Sequence, residues 1–301
     1  MKEVFTEKLR LNNKNKAQLE VINKIIEEYS RQGYRLTLRQ LYYQLVSRDI
    51  ISNSLKEYAK LSKLLVEGRM SGIVDWDAIE DRIRVPFVPY WVQDVAHAIE
   101  DTIEQYRLDR MDDQEVYIEV WVEKDALSGV LRRITSHYHI NLMVNRGYSS
   151  CTAMHDASER IKDKQDEKVC YILYLGDHDP SGVDMVRDIE DRLAEFGAEV
   201  HVVRIALTQE QIKKYNPPPN PAKITDPRAK DYISKFGNTS WEVDALNPDI
   251  LHKIIRSSVE ELIDADKFND KLEQEKKDKK KLEEFRDASQ KNSVRGGEKN
   301  E

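Results

Sequence analysis

Apolar residues recur every three or four positions over the first hundred residues, and in short dense runs beyond them. In residues 17–32 (AQLEVINKIIEEYSRQ), Leu19, Ile22, Ile25 and Ile26 share one helical face, and Gly33 closes the segment. Thr37 caps a second helix, LRQLYYQLVSRD, with a core stripe of Leu38, Leu41, Tyr42 and Leu45. A loop from Ile50 to Asn53 leads to Ser54 and a third helix, LKEYAKLSKLLVEGRM, which ends at Gly72. Leu55, Tyr58, Leu61 and Leu65 form its apolar face, and Lys56, Lys60 and Lys63 lie largely off it.

Three short helices with a basic third one resemble a winged-helix or helix-turn-helix module. The connector 73–91 holds two prolines and is where a wing would lie. A helix over 92–110 follows, and Met111-Asp112-Asp113-Gln114 reads as a boundary. The period then changes. Segments 116–122 (VYIEVWV), 142–145, 169–175 (VCYILYL) and 200–206 (VHVVRIA) are short, apolar and rich in β-branched and aromatic residues. Helical segments at 125–136, 151–163 and 181–196 alternate with them, which predicts an α/β domain with a parallel sheet covered on both faces. The stretch NPPPNPAKITDPR is too rich in proline for a helix or a central strand. One helix over 249–285 closes the chain, and the polar residues from about Ala288 are expected to lack structure. The expected division is therefore 1–112, 113–248 and 249–301.

The 301 residues carry 48 Lys and Arg against 55 Asp and Glu, a formal charge of −7. The distribution is uneven. Residues 1–72 hold 14 basic and 8 acidic residues, or +6, which leaves −13 for the remaining 229. A basic module on an acidic body is the asymmetry expected when one end touches a phosphate backbone. No stretch approaches the length of a bilayer span, and the N-terminal residues lack the apolar core of a signal peptide. Cys151 and Cys170 form no CxxC pair. Together these features read as a soluble protein of a reducing cytoplasm, nucleoid-associated if bound to DNA. No GxxxxGK[ST] loop occurs, so that route to ATP hydrolysis is missing.

The strongest chemical signal lies at two predicted strand ends. Glu123 ends VYIEVWVE, and Asp177 and Asp179 follow YILYLG in GDHDPSG. Ligands of open parallel sheets bind at the carboxyl ends of the strands, and three carboxylates there suit Mg²⁺. Asp177 and Asp179, two residues apart, would point the same way in extended backbone, with Pro180 and Gly182 permitting a sharp exit into a helix. Acidic residues also cap helices after strands, which accounts for Asp179 alone but not for all three.

A strand ending in Glu, followed about fifty residues later by a strand ending in DxD, resembles the Toprim domain of topoisomerases, bacterial primases and OLD-type nucleases. Here the pieces are VEKDAL and GDHDPSG. The DPxG extension and the later WEVDAL (241–246) are similar to the A subunit of topoisomerase VI and its meiotic double-strand-break relatives. KEYAKLSKLLVEGRMSGIVDWDAIEDRIR and VNRGYSS look more like small stand-alone relatives of that subunit. The resemblance implies that Glu123, Asp177 and Asp179 hold Mg²⁺, with Glu123 also a proton shuttle. Glu242 and Asp244 match a motif whose role is left open.

The same family implies a tyrosine nucleophile near the N-terminus, four residues after an Arg, in a pattern like LRxxYY; this chain has Leu38-Arg39-Gln40-Leu41-Tyr42-Tyr43. By helical geometry Tyr42 falls with the core stripe, while Arg39 and Tyr43 form an i, i+4 pair on a neighbouring face, free to meet a substrate. A phenol is a weak nucleophile near neutrality, and a guanidinium beside it would favour phenolate and hold the scissile phosphate. The resemblance implies a site completed across a homodimer interface and, for strand passage, a separate ATPase subunit. Lys56, Lys60, Lys63, Arg69, Lys124 and Arg146 are the further expected DNA contacts, Arg146 in a strand-helix turn where backbone amides approach phosphate. His178 is expected to face away from the aspartates in a structural role, His137 and His139 to end a helix, and Trp76, Trp91, Trp121 and Trp241 to be core. The reading is thus an N-terminal helical, winged-helix-like module, a Toprim domain with a Rossmann-like parallel sheet, and a helical C-terminal tail. The expected function is Mg²⁺-dependent strand cleavage of double-stranded DNA by Tyr43. The alternatives are a Toprim nuclease that uses activated water, or a DNA-binding protein without turnover.

Overall fold

A computed structural model describes residues 2–6, 12–80, 87–145, 149–222 and 224–297, with 288–297 as backbone only. Three helices lead: α1 (Asn13–Arg31), α2 (Leu38–Ser47) and α3 (Leu55–Met70). Each starts where a polar side chain satisfies free amides. Asn12 accepts from the amide of Asn15, Thr37 and Gln40 form a reciprocal capping box, and Ser54 accepts from the amide of Glu57. After a short 3-10 turn, Trp76–Ala78, comes α4 (Val95–Gln105). It is shorter than the expected 92–110 because Asp94 caps it at one end. No hairpin wing occurs among the described residues of the connector, where Leu36 and Ile79 form only an isolated parallel bridge; residues 81–86 lie outside the description.

The α/β part follows the expected alternation: β1 (Val116–Val122), α5 (Ser128–Tyr138), β2 (Asn141–Val144), α6 (Cys151–Gln165), β3 (Val169–Leu175), α7 (Pro180–Glu195) and β4 (His201–Ala206). The four strands are parallel in the order β2-β1-β3-β4. Side chains alternate between two cores. Ile118, Val120, Val122, Leu173 and Leu175 face a large core shared with α1, α2, α3 and α5. Trp121, Ile172 and Tyr174 face a second one under α6 and α7, with Met154, Ile161, Met185 and Ile189.

The proline-rich stretch follows α8 (Gln209–Tyr215). It forms β5 (Asn220–Pro221), which pairs antiparallel with β6 (Thr239–Ser240) across α9 (Ala229–Phe236). Pro221 is tolerated because this two-residue strand has only one partner. A 3-10 turn, Val243–Ala245, precedes α10 (Pro248–Glu260) and α11 (Ala265–Gly297). The single closing helix expected over 249–285 is thus two. Asp264 breaks it, its carboxylate accepting from the amides of Asp266 and Lys267 while Gln114 pairs with its backbone. The cap itself is local, while Gln114, 150 positions away, anchors the backbone at the break. The backbone also stays helical to Gly297 rather than ending near Ala288. Among the tryptophans, Trp121 is fully buried but Trp91 is exposed, against expectation. No helix among the described residues is long and apolar enough to cross a membrane.

Candidate active site

Register brings the first two acids together. Val122 pairs with Leu175, and the Glu123 amide continues the ladder to the Leu175 carbonyl at 3.0 Å. Glu123 and Asp177 therefore leave adjacent central strands side by side, and a Glu123 carboxylate oxygen accepts from the Asp177 amide at 3.1 Å. The Asp177 carboxylate is buried. One oxygen accepts from the Val243 amide at 3.0 Å, and the other meets Lys124 Nζ at 2.7 Å. Burial, reinforced by Glu123, pushes this carboxyl well above the usual range, and Lys124 opposes the shift.

Asp179 takes a different part. It is the N-cap of α7, accepting from the Gly182 amide at 2.6 Å and from Ser181 Oγ at 2.8 Å, with Pro180 opening the helix. Gly182 is required here, because a Cβ would stand 2.2 Å from the Asp177 carbonyl. The loop is gripped from below by Arg204, whose guanidinium donates to the carbonyls of Gly176, Asp177, Gly182 and Leu207. Sequence reasoning missed Arg204. Its signal was a lone arginine inside the otherwise apolar HVVRIA.

On the opposite wall, Arg39 of α2 donates through Nε to Asp244 at 2.5 Å and through a terminal nitrogen to Glu242. The role of these two acids, open in the sequence, is to receive Arg39. Asp244 is fully buried and its Oδ1 has no hydrogen-bond partner. Burial raises its carboxyl, against the pull of Arg39.

The turn 243–245 packs on α2 and changes the status of Tyr43. Expected on a free face, Tyr43 is buried, only 5 % exposed, with its ring centre 5.4 Å from the Arg39 guanidinium. Burial, then Asp244 and Glu242, push its phenol well above the ordinary value, while Arg39 opposes them. Arg39 therefore spends its charge on carboxylates, and phenolate is disfavoured in this state. Tyr42 is buried as expected, and its hydroxyl donates to Asn53 at 2.8 Å.

Arg39, Tyr43, Lys124, Asp177, Asp179 and Glu242 line one cavity of about 510 Å³. The remaining expected contacts divide. Lys56, Lys60 and Lys63 are exposed on α3; Lys60 pairs with Glu57, and Lys60 and Lys63 border a separate groove of about 340 Å³. Arg69 is a correction. It stacks on Trp76 and donates to the carbonyls of Trp76 and Ile79, holding the connector instead of facing a ligand. Arg146 lies outside the described residues. His178 is buried and bonded to Tyr232 at 2.8 Å, and His139 ends α5 in the left-handed conformation.

No three His, Cys, Asp or Glu side chains are arranged as a metal-ligand cluster among the described residues; Lys124, Arg39 and backbone amides hold the acids instead. The donor set still fits a hard cation. Hard carboxylate oxygens of Glu123, Asp177 and Glu242 surround the Lys124 ammonium at 2.7 to 3.9 Å, and Asp244 nearby keeps a buried oxygen unpartnered. Compared with protein-family models, curated proteins and solved structures, the chain matches none.

Proposed function

We propose that the chain is a Mg²⁺-dependent DNA strand-cleaving enzyme in which Tyr43 attacks the phosphodiester, a small relative of the topoisomerase VI A subunit. In this reading α1 to α3 serve as a winged-helix-like DNA-binding module and β1 to β4 as a Toprim domain. The observation that carries it is the common cavity. The arginine-tyrosine pair of α2 and two of the acids that follow the strands, Asp177 and Asp179, face one space within a single chain.

Glu123, Asp177 and Glu242 would hold Mg²⁺, with Asp179, engaged as the cap of α7, lining the same cavity. The ion, when bound, orients a phosphate and offsets charge developing on its oxygens. Arg39 positions the phosphate once it leaves Glu242 and Asp244, and it lowers the cost of forming the Tyr43 phenolate. The Tyr43 oxygen bonds to phosphorus as a sugar oxygen leaves, so the phosphotyrosine keeps the energy of the phosphodiester and permits resealing. Glu123 would take up the proton that the Tyr43 phenol loses and pass it to the leaving sugar oxygen. Because Tyr43 lines the same cavity as Asp177 and Asp179 of its own chain, a homodimer would pair two cleavage sites rather than complete one. Strand passage would need a separate ATPase subunit.

The burial of Tyr43 and its raised phenol favour a second reading, a nuclease in which water attacks instead. Covalent trapping separates the two. Supercoiled plasmid is incubated with protein and Mg²⁺, quenched in detergent, and divided with and without protease. Protein-linked cut DNA in wild type and none in Tyr43→Phe is the expected result. Cut DNA with free ends in both proteins would establish hydrolysis. Retained DNA binding with no cutting would support a binding protein.

A further inference from the structure

Lys124 follows the acid that ends β1, and its stem carries the ammonium back into the carboxylates. Nζ lies 2.7 Å from Asp177, and 3.9 Å from both Glu123 and Glu242. Only 24 % of the side chain is exposed. The ammonium thus occupies the point on which three acids from three segments converge.

The local charge makes this position costly to leave empty. Glu123, Asp177, Asp179, Glu242 and Asp244 face Lys124, Arg39 and the buried Arg204, which leaves a formal charge of −2 in a largely buried site. Arg39 is fixed on Glu242 and Asp244 by two hydrogen bonds, whereas Lys124 has one close carboxylate partner and a flexible four-carbon stem. A divalent ion and an ammonium cannot share these oxygens, since two cations about 3 Å apart repel strongly in a partly buried site.

We propose that Lys124 is a built-in competitor for the divalent cation, holding its place among Asp177, Glu123 and Glu242 until the ion displaces the ammonium into the cavity. Resting on the metal-site reading above, this assigns Lys124 two successive positions. In the free protein it prevents the acids from repelling one another apart. In the loaded protein it faces the cavity, where it meets a phosphate oxygen. The exchange involves no covalent change, only a trade of one cation for another at the same oxygens. Lys124 is in this sense a positioning residue that sets how strongly the site draws a metal.

The test uses Mn²⁺ as probe, with free ion followed by electron paramagnetic resonance. Lys124→Gln should bind Mn²⁺ more tightly than wild type by roughly tenfold, the size of an ordinary coupling between two ligands. Asp177→Asn should lose binding. In a second measurement on the wild-type chain, acylation of the Lys124 amine, read by peptide mass spectrometry, should rise several-fold on saturation with Mn²⁺. Unchanged or weaker affinity in Lys124→Gln overturns the proposal, as does a labelling rate that saturating Mn²⁺ leaves unmoved. If Asp177→Asn loses Mn²⁺ while Lys124→Gln binds like wild type, the metal site stands and only the competitor role falls. If no form of the protein binds Mn²⁺, both fall. The labelling measurement needs no variant, so a Lys124→Gln protein that fails to fold does not protect the idea.

Discussion

Glu119 lies in the middle of β1 with none of its surface exposed, and its carboxylate is fully partnered. Arg160 donates twice, at 2.8 and 3.1 Å, Tyr117 at 2.6 Å and Trp121 at 2.7 Å. Burial alone would raise this carboxyl, but the bonds from Arg160, Tyr117 and Trp121 hold it below its ordinary value. A carboxyl lowered on folding stabilises the protein above the ordinary carboxylate range and loses that contribution as pH falls through it. Glu119→Gln should therefore cost about 2 kcal/mol at pH 7 by urea denaturation, and progressively less as the pH is lowered below the ordinary carboxylate range. A fully buried pair would cost more, but Arg160 still reaches solvent. Arg204→Gln is expected to lose about 3 kcal/mol, since carbonyls that position Asp177 and Gly182 are left without a donor. The cysteines differ in reactivity for a comparable reason. Burial pushes the Cys170 thiol up to about 11, while Cys151 is exposed. A thiol reagent should modify Cys151 quickly and Cys170 only after unfolding. Cys151 and Cys170 are indistinguishable by spacing, and only burial separates them.

At the scale of elements, α2 behaves least like its pattern. Its amphipathic stripe predicts one buried face, yet every residue from Gln40 to Val46 is buried. The reason is that α2 is covered from several sides, by α1 and α3 along the stripe and by the turn 243–245 across the face carrying Arg39 and Tyr43. Its start was fully legible, because a capping box is a local device: Thr37 N donates to Gln40 Oε1 at 2.8 Å and Gln40 N to Thr37 Oγ1 at 3.2 Å. Thr37→Ala should cost about 1 kcal/mol of stability, measured by chemical denaturation. It should also loosen Arg39, which sits in the first turn, and so weaken any Arg39-dependent cleavage. The break before α11 combines the two kinds, since Asp264 caps α11 locally and Gln114 ties its backbone only after the chain has folded back.

For the molecule as a whole, one apolar core runs from Leu19 of α1 through β1 and β3 to Val259 of α10. The N-terminal helices and the sheet are thereby joined, and Arg39 adds a polar tie between them. Arg39→Ala leaves Asp244, already lacking a partner at one oxygen, as a buried uncompensated charge. A loss of roughly 3 kcal/mol is expected, read as a lower urea midpoint. With a shared core, the described helices and sheet should unfold in one transition, seen as coincident circular dichroism and tryptophan fluorescence curves. Two separate transitions would show that neither the shared core nor the polar tie couples the helices to the sheet.

The sequence by itself determined the four strands almost to the residue, the parallel α/β alternation, the capped starts of α2 and α3, and the placing of Glu123, Asp177 and Asp179 at strand ends. These follow from local physics, namely period, β-branching and capping chemistry within a few residues. Only the tertiary structure decided what those side chains meet. It turned Tyr43 from a free face into a buried wall, paired Arg39 with Glu242 and Asp244 about two hundred residues away, and set Lys124 against Asp177 and Glu242. Such partners are distant in sequence, and charge pairing at long range leaves no periodic trace along the chain.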